Sequence, residues 1–235
     1  MGFLLGFVLA ASTVHAGTWD VNPYYTLGSV KVHEVQGPGV EVYNGPSLPV
    51  PVLPPGLSPA PSGDADSSQV ILDQIINGGK KLWAIVAAGR PVMNVQTDSA
   101  NALPQGVHSW SELQGWQTPK SKIYQVQYVN LYQMTVVDFS FRVLFAYGGN
   151  LGGKGNYLSY VTVIPDFVSV AWGYRFDAQS SVVNVMNAGT VVDPLAAMEL
   201  QVEWGVETPL RKTKNTANYL VRGDGGFLDL SSGNF

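Results

Sequence analysis

The sequence predicts a mainly β fold, an antiparallel β-sandwich with one amphipathic helix packed on it. Three observations point there. Charged residues make up only 13% of the chain while Gly and Pro number 26 and 15, the composition of a turn-rich β protein. Several segments alternate apolar and polar residues with the period of two that a half-buried strand requires. One long segment spaces its apolar residues for a helix instead.

In chain order, residues 1–16 form an apolar run closing on Val14-His15-Ala16 before Gly17, the form of a secretory signal peptide cleaved after Ala16. That run is well short of the roughly 20 residues that span a bilayer. The expected location is therefore secreted or periplasmic. Residues 17–44 read as an N-terminal arm in which Val30-Lys31-Val32 and Val40-Glu41-Val42 each suit an edge strand. Residues 45–66 carry Pro46, Pro49, Pro51, Pro54, Pro55, Pro59 and Pro61 and read as an extended, polyproline-like linker.

The main domain is expected over residues 67–235, beginning with a helix at 67–88. Asp66 followed by Gln69 has the capping-box arrangement. At 100° per residue Ile71, Leu72, Ile75, Ile76, Leu82, Trp83, Ile85 and Val86 fall on one side, opposite Asp73, Gln74, Asn77, Lys80 and Lys81. Gly78-Gly79 costs about 1 kcal/mol per glycine relative to alanine, so packing or a membrane must support this helix. Gly89 and Pro91 end it.

Beyond Pro91 the pattern is strands and turns. Val137, Phe139, Phe141, Val143, Phe145 and Tyr147 alternate with polar residues, which buries one face. A glycine-rich turn over 148–156 leads into a partner strand over 157–164, and a further strand over 167–176 follows Pro165. Met198, Leu200, Val202, Trp204 and Val206 alternate with Glu199, Gln201, Glu203, Gly205 and Glu207, giving one core face and one acidic face. Residues 218–222 read as the last strand.

The residue types exclude several chemistries. With no cysteine in the chain there are no disulfides, thiol nucleophiles or Cys-based metal sites. A net charge of −4 with no basic cluster larger than Arg211, Lys212 and Lys214 argues against nucleic acid as a partner. After the signal only His33 and His108 remain, and neither sits beside a Gly-x-Ser-x-Gly elbow, so no Ser-His-Asp triad is expected. Glu199, Glu203 and Glu207 lie four apart on a strand, about 13 Å between neighbours, too far for paired glycosidase carboxylates. The chain thus reads as a non-enzyme, without cofactor or metal.

Binding groups are available where catalytic groups are not. Trp110, Trp116 and Tyr124 lie in or after a long loop, where aromatic rings stack on sugars, enter a lipid interface or fold back to close the core. Arg222-Gly223-Asp224 precedes Gly225-Gly226 and suits an exposed turn, with Arg222 and Asp224 as candidate contacts. The leading expectation is an exported β-sandwich that binds an envelope or surface component: a glycan, a lipid headgroup or a protein.

From residue 67 onward, the order of a helix and then an aromatic-rich sandwich resembles the actinoporin pore-forming proteins. So do, more loosely, Val163-Ile164-Pro165-Asp166-Phe167 and Arg222-Gly223-Asp224. This resemblance implies an alternative in which the 67–88 helix enters a membrane, with Leu82 and Trp83 on its apolar side and Lys80 and Lys81 at the headgroups. The general pattern is also similar to uncharacterised secreted proteins of Gram-negative bacteria.

Overall fold

The computed structural model describes residues 22–35, 71–77, 81–88 and 97–231. The expected signal peptide, the Pro-rich linker, the fragment at 40–42 and Lys80 lie outside these residues. Eleven strands are described: β1 (Leu27–Glu34), β2 (Ile71–Asn77), β3 (Lys81–Ala88), β4 (Ala100–Gln105), β5 (Lys120–Asn130), β6 (Thr135–Leu151), β7 (Lys154–Val170), β8 (Arg175–Asn187), β9 (Ala196–Glu207), β10 (Lys212–Arg222) and β11 (Phe227–Asp229). They form two sheets, β1-β5-β6-β7-β4-β2 and β11-β10-β9-β8-β3, in which neighbouring strands pair antiparallel.

The alternation read from the sequence builds the core. On β6, Val137, Phe139, Phe141, Val143 and Phe145 are fully buried, and β9 contributes Met198, Leu200, Val202, Trp204 and Val206 from the opposite sheet. Aromatic rings join the layers: Phe139 of β6 meets Phe176 of β8 at 5.0 Å between centroids, and Tyr124 of β5 meets Tyr219 of β10 at 4.6 Å. This aromatic packing adds directional contacts to the area buried. The Val30-Lys31-Val32 fragment of the arm is indeed an edge strand, since β1 pairs along β5 with Val30 opposite Tyr128 and Val32 opposite Val126.

The expected helix over 67–88 is corrected. Residues 71–77 and 81–88 form two strands, and they belong to different sheets: β2 pairs with β4, and β3 with β8. Among the described residues the helical content is one 3-10 turn, Trp110–Glu112. The physical reason lies in the residues. Ile71, Ile75, Ile76, Ile85 and Val86 are β-branched and favour extended backbone, and Gly78-Gly79 interrupts the run where a helix would need continuity. Two short apolar strands joined by a break happen to reproduce the helical spacing. Leu82, Trp83, Ile85 and Ala87 are buried in the core, so Leu82 and Trp83 are packing residues and not a membrane face. The pore-forming alternative loses the helix it depended on.

The hairpin is also longer than its sequence suggested. β7 does not stop at Pro165 but runs through it to Val170, and the register shifts between Ser140 and Phe141 where Phe141 faces Pro165. β4 pairs with β7 only at Val161 and Leu158, so the missing N–H of Pro165 falls where no ladder bond from β4 is needed.

Candidate functional site

The residues singled out from the sequence collect at one end of the sandwich, where they are occupied with the fold. Ser109 and Glu112 form a reciprocal capping box around the 3-10 turn, which leaves Trp110 37% exposed. Trp116 donates its indole N–H to the Trp110 carbonyl at 3.1 Å and packs over Gly149, where a Cβ would lie 2.4 Å from its ring. It therefore closes the loop onto β6. Tyr124 is buried between Phe141, Tyr219 and Phe227, and burial, helped by Asp229 and Glu34, pushes its phenol well above the usual range.

Arg222 and Asp224 pair with each other across the β10–β11 turn, and the second Asp224 oxygen accepts from the Gly226 N–H at 2.9 Å. Burial pushes the Asp224 carboxyl up, but the Gly226 N–H and Arg222 outweigh it and hold the group below its ordinary value. Gly223 is tightly seated, since a Cβ there would lie 2.0 Å from the Asn156 carbonyl oxygen. The tripeptide is thus a turn held by its own contacts, in which the Arg222 Nε is buried without a hydrogen-bond partner. On the outer face of β9, Glu203 accepts from Gln179 at 2.6 Å and pairs with Lys214 at 3.2 Å, and these partners hold its carboxyl below the usual range.

The opposite end carries a set of residues that the sequence reading missed. Strand register brings together the segment before β1 (22–26) and the turns β5–β6 (131–134), β7–β8 (171–174) and β9–β10 (208–211), with Leu27 opposite Asn130 and Arg175 opposite Glu207. Large apolar side chains point into solvent from three of them: Trp172 is 77% exposed, Tyr132 59%, Leu210 57%, Met134 53% and Leu131 48%. Turn positions ordinarily take Gly, Asn, Asp, Ser or Pro, so apolar residues in Leu131-Tyr132-Gln133-Met134 and Thr208-Pro209-Leu210-Arg211 were a readable cue. Trp172 was hidden because it fell inside the strand expected over 167–176.

This end is closely hydrogen-bonded beneath its exposed tips. The fully buried Asn130 accepts from the N–H groups of Tyr132 and Met134 at 3.0 and 3.1 Å and donates to the Tyr24 carbonyl at 3.2 Å. Gln133 turns the chain with φ of 61° and donates its N–H back to Asn130. The Tyr24 hydroxyl donates to the Trp172 carbonyl at 2.9 Å, and the Tyr174 hydroxyl donates to the Tyr24 carbonyl. Tyr24, Tyr25 and Tyr174 pack as a ring cluster 5.0 to 6.1 Å apart, against which Gly173 fits with no room for a Cβ. Burial raises the Tyr174 phenol, which keeps it a donor.

A cleft of about 430 Å³ opens beside this end, between edge strand β1 and the start of β10. Gly28 and Val30 form one wall, Arg211, Thr213 and Asn215 the other, and Tyr128 lies between them. Its position follows from topology, because β11 pairs only with Tyr219–Val221 and leaves the first half of β10 uncovered. The Tyr128 hydroxyl donates to Asn215 at 3.0 Å and accepts from the Trp204 indole at 3.0 Å, so it is fixed in place.

No group of three or more His, Cys, Asp or Glu side chains is placed to hold a metal among the described residues. His33 and His108 are both exposed, His33 on β1 and His108 in the loop leading to the 3-10 turn. The described residues make a mostly β domain whose turns at this end display large apolar side chains, although Val191 and Val192 in the β8–β9 connection at the other end are also exposed, at 69% and 70%. Comparison with protein-family models, with curated proteins and with solved structures finds no match to this chain.

Proposed function

We propose that the protein is an exported, non-enzymatic binding domain that engages a component of the cell envelope through the end bearing Tyr132, Met134, Trp172 and Leu210. The observation that carries this reading is the exposure of these side chains on turns that are hydrogen-bonded beneath them, by Asn130, Tyr24 and Tyr174 under Tyr132, Met134 and Trp172 and by Thr208 under Leu210. Large apolar groups exposed on turns that gather at one end of a fold point to a surface that is covered in use. A hydrogen-bonded presentation reduces the ordering cost of binding. The export part rests on the signal-like residues 1–16.

The experiment is co-sedimentation of purified protein with isolated cell envelopes. Wild type is expected to pellet and the double variant Trp172→Ser, Tyr132→Ser to stay in solution, with its melting temperature unchanged. Equal pelleting of the two would move the binding surface elsewhere. Mass spectrometry of the secreted or periplasmic protein should find Gly17 at its amino terminus. A chain beginning at Met1 would refute the signal reading.

A further inference from the structure

We infer that the surface bound by this end is a lipid layer carrying anionic headgroups; the inference rests on the reading of that end as the binding surface. The first ground is charge. The segments 22–26, 131–134, 171–174 and 208–211 contain no Asp or Glu, and Arg211 is their one cation, in a chain whose net charge is −4. Directly behind the tips stand Arg175 and Lys212 against a single carboxylate, Glu207, which Lys212 approaches at 3.6 Å. Among the described residues of this end, cations therefore outnumber carboxylates on a negative protein, the complement of an anionic layer.

The second ground is the kind of side chain exposed. Trp and Tyr carry a polar atom on an apolar ring and settle at the boundary between headgroups and acyl chains, and Leu and Met supply apolar area beside them. A third ground is the backbone. Each turn closes on itself, with Tyr25 donating to Asn22 at 3.1 Å, Gln133 to Asn130 at 3.0 Å, Tyr174 to Ala171 at 3.2 Å and Thr208 to Arg211 at 2.8 Å. A turn that pairs part of its own backbone enters a water-poor layer at lower cost than an open loop.

Glycan recognition is disfavoured by the same inventory. A sugar needs polar side chains converging beside the stacking ring, and here Asn130, Tyr24, Tyr174 and Thr208 are turned inward to hold the turns. The cleft beside this end is lined in part by Arg211, whose guanidinium charge suits a headgroup phosphate.

The test is flotation of the purified full chain with vesicles of phosphatidylcholine, with and without phosphatidylglycerol, at low and high salt. Flotation on the anionic vesicles, weakened by salt, is expected. Trp172→Ser with Tyr132→Ser should weaken it about tenfold or more, the loss of two buried rings. Arg211→Glu should weaken binding to the anionic vesicles while leaving the melting temperature in place. Absence of flotation on anionic vesicles, or flotation indifferent to the two aromatic changes, overturns the inference. If envelope binding then still depends on Trp172 and survives extraction of the lipids, the end remains the binding surface and its partner is a glycan or protein. If envelope binding is lost as well, the reading of the end itself fails.

Discussion

Replacing Trp204 by Ala tests the central claim about how the two sheets hold together. The indole is 1% exposed on the inner face of β9 and donates to the Tyr128 hydroxyl, which in turn donates to Asn215 on β10. Removing an aromatic side chain of this size from a close-packed interior costs about 3–5 kcal/mol, because the neighbours relax only partly into the space left. The same change strips the Tyr128 hydroxyl of one partner, which adds to the loss. For a domain of this size each kcal/mol lowers the melting temperature by about 2–4 °C, so the expected drop is about 6–20 °C. Differential scanning calorimetry reads it directly. Val183→Ala, at an exposed position on β8, serves as the control and should shift the midpoint little. A Trp204→Ala melt indistinguishable from that control would refute the assignment of this strand face to the core.

Other outcomes follow from particular contacts. Gly149→Ala places a methyl group 2.4 Å from the Trp116 ring, so the ring must leave its seat; a red-shifted tryptophan emission is expected, and an unchanged spectrum would count against the closed loop. Deleting residues 1–63 removes β1 and bares the full 11-residue edge of β5, so insoluble or aggregated product is expected on expression, and a soluble, cooperatively melting fragment would show that the strand is dispensable. Burial raises the phenol of Tyr219, with Asp229, Tyr124 and Glu34 adding to it. The unfolded tyrosine ionises near pH 10, so this contribution to stability is whole below about pH 10 and is lost as pH climbs toward the higher folded value. Tyr219→Phe should flatten the alkaline fall in melting temperature, and an equally steep fall would assign the dependence to other groups.

Much of the fold was legible because strand alternation survives averaging over a whole element. The runs around Phe139 and Trp204 each announce one buried face, and both faces meet in the core as expected. Over 67–88 the same method failed, since short apolar runs separated by a glycine pair imitate helical spacing, and only pairing with β4 and β8 distinguishes the two. Pro165 misled for a related reason: it suggested an end to the strand, while an uncovered edge and a register shift allowed the strand to continue.

The candidate site was less legible. Trp110 and Trp116 were visible as loop aromatics, but whether a ring faces solvent or seats on Gly149 depends on a hairpin distant in sequence. Tyr124 looked like a loop residue and is a core ring, because β5 begins before it and its partners come from β6, β10 and β11.

The sequence by itself determined the β class, the absence of thiol and cysteine-metal chemistry, the alternating core faces and the shortage of catalytic groups, since each depends on composition or on local period. Only the tertiary structure decided that four segments scattered between residues 22 and 211 share one end of the sandwich. There Trp172, Tyr132 and Leu210 are exposed, with Arg211 the one cation and no carboxylate among those turns. The physical reason is that antiparallel pairing sends alternate connections to opposite ends, so a surface assembled from turns is set by strand order and register, neither of which a local pattern contains.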